Sequence, residues 1–176
     1  MILIKRINAT LTLFTIAALI LHAGYQIVSY AILYYNPVIS SVLGYIILIP
    51  VICHILLSII SVFFLHDSKT IAYLRLNPAI LAQRISAVLI ICLFYVHSHS
   101  FVLLQAHPDG LGFWLIKVGE DLFYAALFVH ISISFSRALI TLGKLKNIEY
   151  KKRLDRIVWG VSTLLFIVIN WFVIML

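Results

Sequence analysis

Residues 83–99 read QRISAVLIICLFYVHSH, an almost wholly apolar run with Gln83 and Arg84 at one end and His97 and His99 at the other. Between residues 79 and 104, Arg84 is the only charged residue of the Lys, Arg, Asp and Glu types. At about 1.5 Å of rise per residue, a helix of this length crosses a hydrocarbon layer about 30 Å thick. The segment therefore predicts a transmembrane helix, and its polar ends require a physical reason.

The composition places the rest of the chain in the same environment. Of its 176 residues, 64% are hydrophobic and only 11% are charged, and the mean hydropathy is +1.13. A water-soluble fold would lack the polar residues that cover a surface. Five apolar runs are long enough to span a membrane, at approximately 8–35, 38–65, 79–104, 113–140 and 156–176. They predict an all-α bundle of five transmembrane helices, forming a single integral membrane domain over residues 1–176.

Helix breakers and basic residues predict the topology. Successive runs are separated by Asn36-Pro37, by Asn77-Pro78 and by the PDG turn at 108–110, where the chain must reverse direction. Of the thirteen Lys and Arg residues, all but Lys117 lie at the N-terminus or around the second and fourth loops. This bias predicts a cytoplasmic N-terminus and an outer C-terminus. It also accounts for the net charge of +7 without a nucleic-acid partner.

The histidines carry the main functional signal. Two of the seven, His66 and His107, fall at helix ends, where an interfacial position accounts for them. A single deep histidine is most often a hydrogen-bonded core residue, but one on each of four consecutive helices favours a common purpose. Neutral imidazole is a common axial ligand of haem iron, and a four-helix core can hold haem between facing helices. Two bis-histidine haems in a four-helix core, with a peripheral fifth helix, are therefore predicted from His22, His54, His97 and His130.

Residue counting predicts how these histidines pair. His54 lies fifteen residues before Lys69, and His130 lies fourteen before Lys144, so both are about 21–23 Å from the cytoplasmic anchors. They form the predicted inner pair. His22 lies sixteen to seventeen residues beyond Lys5 and Arg6, and His97 lies nineteen beyond Pro78, so both fall in the outer half and form the predicted outer pair.

Helical faces supply candidate haem contacts on two helices. Ser58 follows His54 by four residues and shares its face. Arg137 follows His130 by seven residues, about 10 Å further toward the cytoplasm on the same face. A haem held at His130 would extend its propionates toward that arginine.

The third helix carries a second set of candidate contacts. The face of His97 also includes Ser86, so this helix would offer a ligand to the outer haem and a partly polar surface to the inner one. Arg84 is a further candidate for a propionate. Ordinary snorkelling of arginine to the membrane interface is an equally good account of Arg84 and Arg137.

The run Gln83-Arg84-Ile85-Ser86, followed by His97, resembles the third helix of a known family. That family is the cytochrome b subunit of succinate:quinone oxidoreductases, of the five-helix, single-subunit, di-haem type. The segment HISISFSRALITLG at 130–143 is similar to its fourth helix, CHILLSI at 53–59 to its second, and LHAGYQ at 21–26 to its first. Helix number, histidine order and topology agree over the whole chain, and the register favours His97 over His99 as the ligand.

The resemblance implies a function and a set of partners. Members anchor an FAD-containing flavoprotein subunit and an iron–sulfur subunit on the cytoplasmic side of a bacterial or archaeal cytoplasmic membrane. They carry electrons through two haem b groups between a quinone, usually menaquinone, and a dicarboxylate in succinate dehydrogenase or fumarate reductase. By itself such an anchor would not turn over the dicarboxylate, and a higher oligomer of the complex is left open.

A candidate quinone-linked residue comes from the outer half of the fourth helix. Lys117, Glu120 and Asp121 are spaced i, i+3 and i+4, and Glu120 lies about 15 Å outward of His130, near the level expected for the outer haem. Glu120, in preference to Asp121, is therefore predicted to take part in quinone-linked proton transfer, as the proton acceptor or as a hydrogen-bond partner of the quinone. The same spacing also favours a simple interfacial ion cluster without chemistry, which stays an alternative. Further candidates for the proton transfer are the nearby outer-side groups His99, His107 and Asp109.

A basic segment predicts the docking face for the soluble subunits. GKLKNIEYKKRLDR at 143–156, together with the Lys69–Arg75 loop, would contact the iron–sulfur subunit, although topology determination alone accounts for these charges equally well. Two other functions remain open. The first is that of a cytochrome b anchor in a hydrogenase or formate dehydrogenase. The second is that of a haem-free membrane protein, such as a small transporter or assembly protein.

Overall fold

The computed structural model describes residues 2–34, 36–63, 77–107 and 109–175. Within these ranges it contains five helices and no strand: α1 (Ile2–Ala31), α2 (Pro37–Phe63), α3 (Pro78–Ala106), α4 (Gly110–Thr141) and α5 (Ile148–Met175). Each is long and apolar enough to cross a membrane, which confirms the predicted all-α class with five transmembrane helices. The interfacial position predicted for His66 and the Lys69–Arg75 loop lie outside the described residues.

Asparagine–proline pairs start two of the helices. The Oδ1 atom of Asn36 accepts the backbone N–H of Val38 at 3.0 Å, and Oδ1 of Asn77 accepts the backbone N–H of Ile80 at 3.3 Å. In both cases the next residue is a proline, which has no N–H to leave unsatisfied and whose fixed φ suits the first helical position. These pairs therefore cap the helices that follow them.

Glycine ends the fourth helix. Gly143 has a φ of 72°, a left-handed conformation that is strained for other residues. Its N–H bonds to the carbonyl of Ile140 at 2.9 Å, and the N–H of Lys144 bonds to the carbonyl of Leu139 at 2.9 Å. This is a Schellman arrangement, which satisfies the last carbonyls and stops the helix.

Two helices begin earlier than hydropathy predicts. α1 begins at Ile2 instead of residue 8, and α5 begins at Ile148 instead of residue 156. Hydropathy locates only the part of a helix that lies in hydrocarbon. Backbone hydrogen bonding continues through Lys- and Arg-bearing turns, which extend into water without breaking the helix.

Polar and apolar side chains are distributed in the reverse of a water-soluble fold. Exposed side chains include large apolar residues from every helix, such as Ile20, Ile49, Leu115 and Trp171, each 62–68% exposed. The buried side chains include one glutamate and several serines, namely Ser29, Ser86, Glu120, Ser132, Ser134, Ser136 and Ser162. In lipid, apolar side chains suit the surface and polar ones need partners inside. The chain is a multi-pass membrane protein.

The helices group into two compact units. The first comprises Met1–Thr70 and Ser134–Lys151. In it, α1 packs against α2, and the turn between them is closed by side chains. The hydroxyl of Tyr25 donates to the carbonyl of Asn36 at 3.0 Å, and Gln26 donates to Ser40 at 2.8 Å.

The second unit comprises Ile71–Ile133 and Lys152–Leu176. The hydroxyl of Ser132 donates to the hydroxyl of Ser162 at 3.0 Å, which joins α4 to α5. A side chain at Gly119 of α4 would meet Val96 of α3, because a Cβ placed there would lie 3.1 Å from Val96 Cγ1. Small residues at such points let helix backbones approach closely in membranes.

Candidate functional site

His54 on α2 is held by a threonine of α1. The Nδ1 atom of His54 lies 3.3 Å from Oγ1 of Thr12, and that hydroxyl donates its hydrogen to the carbonyl of Asn8 at 2.9 Å. Since the hydrogen of Thr12 is already used, the threonine oxygen accepts from Nδ1–H of His54. In the neutral ring, Nε2 is then the nitrogen with the lone pair.

A second polar contact joins the same two helices one turn away. The side-chain amide of Asn8 donates to Oγ of Ser58 at 3.2 Å. Ser58, which the sequence predicts as a haem contact, follows His54 by one helical turn. It therefore lies in the same polar contact between α1 and α2 that orients the histidine.

His130 on α4 is held by the start of α3. Its Nδ1 lies 3.0 Å from the backbone carbonyl of Gln83 and 3.3 Å from Oγ of Ser86. A carbonyl can only accept, so Nδ1 carries the hydrogen and Nε2 has the lone pair. Ser86 is buried and donates to the same Gln83 carbonyl at 3.0 Å. Ser86, another predicted haem contact, therefore lies beside the opposite nitrogen from the one available to iron.

His97 on α3 is held by a carboxylate of α4. Its Nδ1 lies 3.2 Å from Oε2 of Glu120. The ring is stacked on Phe123, with centroids 4.2 Å apart and planes 8° apart, and it meets the edge of Tyr124 at 5.4 Å. The contact places Glu120 and His97 at the same depth, where residue counting also puts Glu120.

His99 has a different environment from His97. It is exposed, its Nδ1 contacts the carbonyl of Tyr95 in its own helix at 3.1 Å, and its ring stacks on Tyr95 with centroids 4.4 Å apart. All of these partners, including Ser98 at 2.9 Å, belong to α3 itself. His97 is thus the histidine of this pair that faces a neighbouring helix.

The other predicted site residues lie on the same helices. His22 on α1, Arg84 on α3 and Arg137 on α4 are each half-buried. Arg137 lies seven residues after His130, and its backbone carbonyl accepts from the hydroxyl of Thr141 at 2.9 Å. The propionate roles of the two arginines stay predictions.

The outer candidates separate into one buried group and several exposed ones. Glu120 is buried, whereas Asp121 is half-buried. Lys117 places its Nζ 4.9 Å from the ring centroid of Phe113. Three further candidates are all exposed, namely His99, His107 and Asp109.

The residues present fit the axial ligation of haem. His54, His97 and His130 each place Nδ1 against an acceptor, which is the arrangement that orients metal-ligating histidines and leaves Nε2 to bind. Across the described ranges, no group of three or more His, Cys, Asp or Glu is arranged to hold a metal ion. A bis-histidine haem needs only two protein ligands. The predicted pairs, His22 with His97 and His54 with His130, stay predictions.

Sequence reasoning missed the groups that orient the histidines. Thr12, Asn8 and Phe123 were not among the predicted site residues. A signal for the first two exists, since Asn8, Thr12 and Thr15 recur at helical spacing and share a face with His22. Phe123 has no comparable signal in so apolar a helix.

Comparison of the chain with protein-family models, with curated proteins and with solved structures finds no significant match.

Proposed function

We propose that the chain is the di-haem cytochrome b membrane anchor of a succinate dehydrogenase or quinol:fumarate reductase, in the cytoplasmic membrane of a bacterium or archaeon. In this role it carries electrons between menaquinone or a similar quinone and an iron–sulfur subunit, which in turn serves a flavoprotein subunit. The sequence resemblance at Gln83–Ser86 and His97 supports the family, and five transmembrane helices are what that family requires.

One observation carries the proposal. Three histidines on three different transmembrane helices have Nδ1 held by a threonine oxygen, a backbone carbonyl and a carboxylate. A histidine with a purely structural role in a bilayer could satisfy its hydrogen bond through either ring nitrogen. In each of these three histidines it is Nδ1 that is engaged. This repetition favours a shared use of Nε2, and axial haem ligation is the use that suits four-helix cores.

Different residues of the chain would bind the two haems and compensate their charge. Bound haem would supply one-electron transfer between the quinone and the iron–sulfur subunit. His22 and His97 would hold the outer iron, and His54 and His130 the inner one. Arg84 and Arg137, half-buried, would compensate propionate charge.

The quinone site is proposed for the outer half. Glu120 is the candidate for quinone-linked proton transfer, although its side chain is only 6% exposed and is engaged with His97. Proton exchange with quinone also requires contact with water. The exposed side chains of His99, His107 and Asp109 meet that requirement and are the alternative candidates.

The deciding experiment is a visible spectrum of the full-length protein purified from membranes. A reduced-minus-oxidised difference spectrum with pyridine haemochrome quantitation is expected to give two haem b per chain. Absence of a b-type signal would exclude both cytochrome functions and leave a haem-free membrane protein.

Co-purified subunits separate the two cytochrome functions. A flavoprotein and an iron–sulfur subunit with succinate:quinone or quinol:fumarate activity are expected. Co-purification with hydrogenase or formate dehydrogenase subunits would assign the chain to another respiratory complex while keeping its haems.

A further inference from the structure

The contact between His97 and Glu120 involves a carboxyl group that is buried within a membrane-spanning helix, where a charged group is energetically unfavourable. The Glu120 side chain is 6% exposed, and its Oε2 lies 3.2 Å from Nδ1 of His97. Its other oxygen, Oε1, is buried with no hydrogen-bond partner among the described residues. Burying a carboxylate is unfavourable unless it is paired, and inside a membrane such groups mark function more often than packing.

The backbone of α4 is shaped to bring this carboxylate to α3. Gly119 immediately precedes Glu120, and a Cβ at position 119 would lie 3.1 Å from Cγ1 of Val96, which immediately precedes His97. The close approach therefore falls beside the contact itself. Phe123, also on α4, stacks on the imidazole ring of His97 with 4.2 Å between the ring centroids. Helix α4 therefore contacts this ring through two side chains, those of Glu120 and Phe123.

The chemistry of this arrangement differs from that at the other two histidines. His54 and His130 give Nδ1–H to neutral oxygens, those of Thr12 and of the Gln83 carbonyl. His97 alone among the three gives it to a carboxylate. An ionised carboxylate that accepts Nδ1–H would make the imidazole a stronger electron donor at Nε2 and would place a negative charge near an iron held there. In a medium of low dielectric constant that charge acts strongly.

We infer that Glu120 is a positioning residue for His97, which fixes the ring and its tautomer and lowers the reduction potential of the haem that His97 binds. This inference rests on the proposed function, because it assumes that His97 is an iron ligand. The ferric form of haem carries one more positive charge than the ferrous form, so a nearby carboxylate stabilises the ferric form preferentially.

The test is a spectroscopic redox titration of the full-length holoprotein. Glu120→Gln keeps an oxygen that accepts Nδ1–H but removes the charge, so both haems are retained and one midpoint potential rises while the other stays unchanged. The rising potential must belong to the haem that is lost in His97→Ala. Asp121→Asn is the matched control, since it removes a half-buried neighbouring carboxylate and is expected to change neither potential.

Two further variants, Glu120→Ala and Gly119→Ala, distinguish the positioning of His97 from the effect of the Glu120 charge. Glu120→Ala removes the acceptor, and loss of such a partner weakens metal-site affinity by about 10–100-fold, so the outer haem is expected at reduced occupancy. In Gly119→Ala the new Cβ would lie 3.1 Å from Val96 Cγ1, so the Val96 side chain must shift beside an intact Glu120, and the reduction potential of the same haem is expected to change. Gly160→Ala is the control, because a Cβ there meets nothing within 4 Å.

The outcomes distinguish this inference from the proposed function. A wild-type protein without haem b overturns both. Two haems in the wild type with unchanged potentials in Glu120→Gln overturn the effect on the reduction potential, and full occupancy of the outer haem in Glu120→Ala overturns the positioning role; both results leave the proposed function standing. Unchanged potentials combined with lost quinol turnover would assign Glu120 to the quinone directly. A shift confined to the haem of His54 or His130 would also overturn the inference.

Discussion

The backbone carbonyl of Gln83 accepts a hydrogen bond from Nδ1 of His130, with 3.0 Å between the two atoms. The start of the third apolar run thus orients a histidine of the next helix, and Ser86 is the polar residue there whose side chain takes part. Ser86 supports the same contact by donating to that carbonyl at 3.0 Å and by lying 3.3 Å from Nδ1.

Ser86→Ala tests how this contact is shared. The Gln83 carbonyl remains after the substitution, so His130 keeps its Nδ1 partner and both haems are expected to remain, with only a small change in the inner haem's spectrum. Haem quantitation checks this result. Complete loss of one haem would show that the hydroxyl, instead of the carbonyl, orients His130.

Single alanine substitutions test the ligand set. His22→Ala, His54→Ala, His97→Ala and His130→Ala are each expected to lose one haem by pyridine haemochrome assay, because each removes an axial ligand. His99→Ala is the control and is expected to keep both, since His99 is exposed and contacts its own helix. Loss of a haem in His99→Ala with retention of both in His97→Ala would reverse the register.

Thr12→Val tests the orientation of His54. The isosteric change removes the oxygen that accepts Nδ1–H, and weakened haem binding by about 10–100-fold at the inner site is expected from loss of such a partner. Thr10→Val is a matched control. Thr10 also donates to the carbonyl four residues earlier, at 3.1 Å, but it is exposed. Equal haem retention by the two variants would contradict an orienting role for Thr12.

The Ser132–Ser162 bond is expected to stabilise the packing of α4 against α5. Hydrogen bonds between transmembrane helices contribute about 0.6 kcal/mol on average and up to about 1.7 kcal/mol. A double-mutant cycle of Ser132→Ala and Ser162→Ala, measured by unfolding in detergent, should give a coupling free energy in that range. Ser98→Ala, at an exposed position, is expected to leave the free energy of unfolding unchanged.

Charge reversal tests the docking segment. Lys152 and Arg153 are exposed on α5, and Lys151 is half-buried beside them. Lys151→Glu, Lys152→Glu and Arg153→Glu together are expected to reduce co-purification of the iron–sulfur subunit, because the basic face would lose its charge. Orientation is checked by the accessibility of a C-terminal tag. Unchanged co-purification would leave these residues a topological role alone.

Much of the fold is predictable from local features of the sequence. The five apolar runs gave the spans, and Asn36-Pro37 and Asn77-Pro78 marked helix starts that the structure confirms by capping bonds. The first residues of α1 and α5 were less predictable, because each helix begins with turns that carry charged residues ahead of the apolar run. Depth along a helix also follows from residue counting, which is why Glu120 could be placed near the level of His97.

Local features of the chain are enough to predict five membrane-spanning helices and one deep histidine on each of four of them. Hydrophobicity, prolines and residue spacing are properties of the local chain, so no packing is needed to recognise them. The group that holds each histidine, in contrast, depends on how the helices pack. Thr12, Gln83 and Glu120 are 42, 47 and 23 residues from their histidines. Lipid is as apolar as the helix surfaces, so hydrophobic periodicity does not reveal which face meets a neighbour, and only helix packing fixes that rotation.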